Sequence, residues 1–200
     1  MERWEIAIIG AGAAGLMAAQ AAAKAQRAQG RPVSVVVLEG NPKPGKKLLA
    51  TGNGRCNLTN LDAGPARYHG DVALAAPLLE ACPPSRVLEE FQAMGLLCRA
   101  DGEGRVYPRN LQAAAVLQIL RQACQELGVA LACDWGVASL AREAGASAWK
   151  APRGSAFGAP GVSWPAGAKP RPSTAGRGAA TLWPRPWATG SQSCARPSRP

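Results

Sequence analysis

Two stretches of the chain carry residue types at spacings that suit chemistry. The first is Gly10-Ala11-Gly12-Ala13-Ala14-Gly15, a G-x-G-x-x-G pattern set between the apolar run IAII and an alanine-rich segment. Glycine at position 10 permits a tight turn, and at position 12 it lets a pyrophosphate approach the backbone. At position 15 glycine lets a helix pack closely on a strand. A helix opening at Ala13 and Ala14 points its N–H groups and the positive end of its dipole at that phosphate. Glu39 ends the next apolar run, where a carboxylate accepts hydrogen bonds from ribose hydroxyls. An acid there disfavours a 2′-phosphate, so FAD or NAD fits better than NADP.

The second stretch is KKLLATGNGRCNLTN, residues 46–60. Gly and Asn at this density break regular structure, so neither helix nor strand is expected. Gly52 and Gly54 let backbone N–H groups converge on an anion as a nest. Lys46, Lys47 and Arg55 supply positive charge to a phosphate or to a reduced, anionic ring. Asn53 and Asn57 offer amide donors and acceptors to a planar ring with polar edges, and Thr51 and Thr59 offer hydroxyls. Cys56 has two readings: a thiol activated by Arg55, or a small buried thiol under the loop. With no second cysteine near it in sequence, the buried thiol is favoured. His69, the one histidine, is read as a surface residue without a role.

These stretches need elements to hold them. The segment WEIAIIG reads as a buried parallel strand, and the alanine-rich segment reads as a helix stopped by Gly30. PVSVVVLEG reads as a second strand, completing a right-handed β-α-β unit. Residues 71–94 are helical in pattern, broken at CPPS, with Ser85 as the expected cap of the second helix. GLLCRADGEGRVYP suggests two short strands around a glycine turn. Asn110 is the expected cap of a helix over LQAAAVLQILRQACQEL, and GVALACDWGVASLARE returns to strand.

The chain has 200 residues, 47% of them hydrophobic, and a formal net charge of +10. The charge is uneven, because no Asp or Glu follows Glu143 while Arg continues to Arg199. That basic excess lacks aromatic interleaving or amphipathic period, so neither nucleic acid nor a membrane surface is expected as a partner. The six cysteines form no C-x-x-C pair and no metal-like spacing with His69, so no metal site is expected. Reduced thiols and the lack of a secretory pattern or membrane span point to the cytoplasm.

IIGAGAAGLMAA, LEGNPKPGKKLLATGNGRCNLTN and GRVYPRNLQAAAVLQIL together resemble the bacterial NAD(P)/FAD-dependent oxidoreductases of the aminoacetone-oxidase-like flavoprotein family. The middle motif, G-[RK]-K-x-x-x-[ST]-G-x-G-[RK]-C-N-x-[ST]-N, is the most specific of the three. The resemblance implies a segment that wraps a flavin, with contacts to the pyrophosphate and to the ring edge. It extends that role across Gly10, Gly12, Ala14, Gly15, Glu39, Lys46, Lys47, Thr51, Gly52, Asn53, Gly54, Arg55, Cys56 and Asn57. Tyr107-Pro108-Arg109 is similar to the family's [FY]-P-x segment.

The resemblance holds to about Trp149. Beyond it the family shows a strand ending in an A-x-G-G-like motif and then a G-Y-x-x-A-x-x-x-G-H-like segment, and neither is present as written. Joining the last base of each codon to the first two of the next lets VSWPAGAKP encode VLAGGGKA, and lets AATLWPRPWAT encode GYALAAALGH. The tail therefore looks like the product of a frame slip after Trp149, with a genuine low-complexity extension as the alternative. As written, residues 150–200 are rich in Pro, Gly and Arg without either periodicity, and are expected to be disordered.

The expected fold class is α/β: the N-terminal part of a Rossmann-like FAD-binding domain over residues 1–149, followed by that tail. The expected function is FAD-dependent oxidation or reduction of a small-molecule substrate, with NAD(P)H as a candidate electron donor. The alternatives are a non-catalytic dinucleotide-binding module and a fragment without function. The sequence assigns neither catalytic residues nor an oligomeric state.

Overall fold

The computed structural model describes residues 4–137 and, beyond them, four strands between residues 139 and 163. Four parallel strands form the central sheet in the order β10-β1-β2-β6. They are β1 (Ile6–Ile9), β2 (Val35–Leu38), β6 (Ala130–Ala132) and β10 (Gly161–Ser163). Ile6 to Ile9 align with Val35 to Leu38, and Val36 to Leu38 align with Ala130 to Ala132. Helix α1 (Ala13–Ala28) joins β1 to β2, making the β-α-β unit the sequence leads one to expect.

All four residues of β2 are buried, as a strand covered on both faces requires. Ile8, Val35 and Val37 pack with Leu16, Ala19 and Ala23 of α1 and with Val116, Leu120 and Cys124 of α5 (Ala113–Glu126). Ala7, Val36 and Leu38 turn to the other face, against Trp4, Trp135 and Val137. Each fully buried valine or leucine contributes about 1.5–3 kcal/mol, so this two-sided core holds the C-terminal ends of β1 and β2 in place.

Between β2 and α5 the chain runs through α2 (Lys46–Ala50), a 3-10 turn at Thr51–Gly54, β3 (Thr59–Asn60), α3 (Val72–Ala81), α4 (Pro84–Ala93), β4 (Cys98–Ala100) and β5 (Arg105–Pro108). A second 3-10 turn, Pro65–Arg67, precedes α3. β3, β5 and β4 form a small antiparallel sheet in that order. A further antiparallel sheet comprises β7 (Ser139–Glu143), β8 (Ala146–Lys150) and β9 (Ala156–Ala159).

Several expectations are corrected. Lys46–Ala50 is helical after all, because the apolar Leu48 docks into the core before the first glycine. The cap expected of Ser85 is absent: α4 starts at Pro84 with Pro83 at the N-cap, since proline's fixed φ suits the first helical turn. Asn110 is not the cap of α5 either. Gln112 holds that position, while the Asn110 side-chain oxygen accepts from the Gln112 N–H one turn earlier. The strand expected from Gly128 onward is two strands, β6 and β7. Within the segment expected to lack structure, β9 and β10 form, and β10 pairs with β1 through Ile6–Gly161, Ala7–Val162 and Ile8–Ser163. The rest of that tail lies outside the described residues.

Candidate functional site

The glycine pattern folds into the turn between β1 and α1. Gly10 takes φ +97°, the left-handed region that excludes most side chains, and its N–H donates to the Leu38 carbonyl at 2.7 Å. A Cβ on Gly15 would stand 1.9 Å from the Gly10 carbonyl oxygen, so any side chain there would drive α1 off the turn. A Cβ on Gly12 would meet nothing within 4 Å. A Cβ on Gly10 would also meet nothing, so the backbone is open to approach from outside at Gly10 and at Gly12. Gly12 is also the N-cap of α1, and no side chain caps that end. The leading N–H groups of α1, including those of Ala13 and Ala14, have no intrahelical acceptors, and they face the open space beside Gly12.

Glu39 is buried at the end of β2. Its Oε2 accepts from the Ala11 N–H at 2.8 Å, and its Oε1 accepts from the Asn41 N–H at 2.9 Å and from the Asn41 side-chain amide. A carboxylate has about four acceptor positions, so one is left, and a ribose diol would gain a second by displacing the Asn41 amide. Glu39 thus also braces the glycine turn, a role the sequence pattern does not reveal.

The loop after α2 is tied to the same turn by the Gly45 N–H, which donates to the Ala11 carbonyl at 2.9 Å. Gly52 and Asn53 both take left-handed backbone, as does Cys56 at φ +58°. Part of the hydrogen bonding of this loop is internal. The Arg55 N–H donates to the Gly52 carbonyl at 3.1 Å and the Cys56 N–H to the Thr51 carbonyl at 3.0 Å, so both donors are consumed inside the loop. The Thr51 hydroxyl donates to the Leu48 carbonyl at 2.6 Å. Cys56 is buried, and burial pushes its thiol above the ordinary range while a hydrogen bond with Thr51 pulls the other way. The upward direction is that of a packed, neutral thiol and not of an activated one.

These elements enclose a cavity of about 660 Å³, a size in the range of small-molecule and cofactor sites. Gly10, Gly12, Ala14, Gly15, Lys47, Thr51, Cys56 and Asn57 line it, so eight of the expected residues converge. Lys46, Gly52, Asn53, Gly54, Arg55 and Glu39 are not in its lining. Met17, Leu58, Cys82, Val87, Glu90, Phe91 and Val116 are, and the sequence did not single them out. For Met17, Val87, Phe91 and Val116 the sequence signal was helical apolar spacing, which core residues share, and Leu58, Cys82 and Glu90 carried none. Arg55 instead stacks its guanidinium 5.2 Å from the centre of the Tyr107 ring, facing a different cavity. Among the described residues there is no cluster of His, Cys, Asp and Glu fit for a metal, and no helix long and apolar enough to cross a membrane.

A parallel sheet, a glycine turn open at its second glycine, an uncapped helix and a buried acid at the end of the next strand together define a Rossmann-like dinucleotide-binding domain. Residues 4–184 match the family described as HI0933-like protein Rossmann domain. The chain belongs to that family, whose members are FAD-binding, oxidoreductase-like domains. The match continues past Trp149, where the resemblance in sequence was expected to end.

The 3-dehydro-bile acid delta(4,6)-reductase of Clostridium scindens is 45% identical over 116 residues, which are 58% of this chain and 27% of that protein. The ribosomal RNA dihydrouridine synthase of Escherichia coli is 44% identical over 68 residues, 34% of this chain and 16% of that protein. The chain thus spans about a quarter, or less, of these curated relatives. Among solved structures, the 3-ketosteroid-delta4-(5alpha)-dehydrogenase of Rhodococcus jostii aligns with a TM-score of 0.57 at 16% identity, over 82% of this chain and 46% of that one. At that identity the likeness is one of fold.

Proposed function

We propose that this chain forms the nucleotide-binding part of a cytoplasmic flavoenzyme that acts on a small-molecule substrate with NAD(P)H as electron donor. When bound, FAD supplies hydride exchange at its ring. The observation that carries the reading is the open approach at Gly12, where a Cβ would find no atom within 4 Å, directly in front of the uncapped end of α1. Only a ligand that brings negative charge close to backbone profits from that arrangement.

The residues present fit such a ligand. Gly12 and the first N–H groups of α1 would receive the pyrophosphate, and Lys47 at the cavity wall would balance its charge. Glu39 would take the ribose hydroxyls once the Asn41 amide yields. The wall at Leu58, Val87, Phe91 and Val116 is apolar, and a ligand that displaces water from it would strengthen the polar contacts made there. The names of the two curated relatives, a reductase and a dihydrouridine synthase, favour the reductive direction.

The test is a titration of the purified chain, stripped of any flavin, with FAD, followed by anaerobic addition of NADH or NADPH. Saturable binding near one FAD per chain and bleaching of the flavin band support the proposal. Binding without bleaching leaves a dinucleotide-binding module, and no binding overturns the assignment.

A further inference from the structure

The loop 51–57 borders the cavity described above, a second one at Asn57, and a smaller one that shares no lining residue with either. The smaller holds about 250 Å³ and is lined by Arg55, Arg99, Ala100, Asp101, Tyr107 and Leu111. Among the described residues neither Arg55 nor Arg99 forms an ion pair. The one acid in the wall, Asp101, is already engaged. Its Oδ2 accepts from Arg105 Nε at 2.8 Å, and its Oδ1 accepts from the N–H groups of Glu103 and Arg105 at 3.0 and 2.9 Å. Two arginines without an ion pair therefore line a cavity whose one carboxylate is already bonded to Arg105.

Arg55 is held for this task. Its Nε donates to the Gly52 carbonyl at 3.1 Å, and its plane lies over the buried Tyr107 ring. That leaves the two terminal nitrogens, the fork that matches a carboxylate. Asn53 and Cys56 on either side of it, and Leu111 across the cavity, all take left-handed backbone at φ +54°, +58° and +56°. Non-glycine residues persist in that region only where the surroundings over-determine them, and such positions gather at ligand sites.

We propose that this cavity is a recognition site for the carboxylate of a small aromatic or conjugated acid. The carboxylate forks onto Arg55 and Arg99, and the flat apolar body lies along Leu111 and Ala100. A bare phosphate leaves those apolar walls without a partner. A nucleic acid needs exposed aromatic faces for its bases, and Tyr107 is 6% exposed and covered by Arg55. That this acid is the substrate of the flavoenzyme rests on the function proposed above; the site itself does not.

Calorimetric titration of the purified chain with benzoate, benzyl alcohol and inorganic phosphate tests the site without any activity assay. Benzoate is expected to bind saturably, with benzyl alcohol and phosphate each weaker by about tenfold or more, the scale of one charge-assisted contact. Arg99 lies exposed on β4, so Arg99→Gln is expected to keep the fold by circular dichroism, lose about tenfold in benzoate affinity and leave FAD affinity unchanged. Arg99→Lys, which keeps the charge without the fork, is expected to fall between. Equal binding of benzyl alcohol, phosphate as tight as benzoate, or an unchanged Arg99→Gln variant overturns the proposal. Benzoate binding in a chain that takes no FAD supports this site and removes the flavoenzyme reading alone.

Discussion

At the scale of single residues, the three glycines of the turn separate by what surrounds them. Gly15 has no room for a side chain, whereas Gly12 has room and an ordinary extended backbone, at φ −82°. Gly12→Val is therefore expected to fold, at a cost of about 1 kcal/mol for a poorer N-cap, and to lose FAD retention because its methyls occupy the approach to the backbone. Flavin absorbance after gel filtration, beside far-UV circular dichroism, checks both halves. Glu39→Ala is expected to weaken FAD binding by about 1–3 kcal/mol, the scale of a hydrogen bond to a charged group. It should also lower the stability of the free chain, since the Ala11 N–H loses its acceptor. Titration and urea unfolding of the same variant separate the two effects.

The buried thiols give a pH dependence with a definite sign. Cys56 and Cys124 are both raised by burial from an ordinary value of 9.0, against smaller lowering contributions from Thr51 and Gln20. A raised folded-state pKa contributes stability that is complete below the unfolded value and is lost as the pH rises through the folded one. Stability from this source should hold through neutrality and fall above about pH 9. Urea midpoints measured across that window should fall less steeply for Cys56→Ala than for the parent chain.

At the scale of elements, α3 differs from the other long helices: none of its ten residues is buried, and Leu74 and Leu78 are 54% and 69% exposed. Pro77 within it removes one backbone donor, and its N-cap Asp71 makes no side-chain cap. Hydrogen exchange is expected to be faster in α3 than in α1 or α5. Leu78→Lys should shift the unfolding free energy by less than about 0.5 kcal/mol, as for a surface change that removes no packing. A larger loss in urea titration would show that Leu78 is covered in solution.

The β-α-β unit, the glycine turn and the position of Glu39 were legible in the sequence because each depends on neighbours a few residues away. Apolar runs bounded by glycine define the strands, and the alanine-rich segment defines α1. The direction of Arg55 was not legible. Its place beside Arg99 and Tyr107 depends on how the loop 51–57 meets β4 and β5, roughly fifty residues further along the chain. The internal bonding of the loop was hidden for a different reason. Composition shows that Gly52 and Gly54 can adopt left-handed backbone, but not that carbonyls of the same loop accept from the Arg55 and Cys56 N–H groups. Strand β10 carries no signal at all in three residues. It is a strand because β1 offers an unpaired edge.

At the scale of the whole molecule, that edge decides how the sheet ends. β1 is paired with β2 on one side and β10 on the other, so its backbone groups are satisfied in both directions. Without β10, the N–H and C=O groups of β1 on that side face solvent or another chain, and an unprotected edge invites pairing between molecules. A chain shortened to residues 1–165 keeps the ladder of Ile6, Ala7 and Ile8 with Gly161, Val162 and Ser163. One shortened to residues 1–160 keeps β9 but loses that ladder. The shorter chain is expected to be less stable by about 2 kcal/mol, the net worth of two or so backbone hydrogen bonds, and to form larger species in light scattering as its concentration rises. FAD retention should fall with it, because β1 delivers Gly10 and Gly12 to the cavity. Equal urea midpoints and equal scattering for the two shortened chains would show that β1 needs no partner at that edge, and that the sheet which holds the site is complete with β1, β2 and β6.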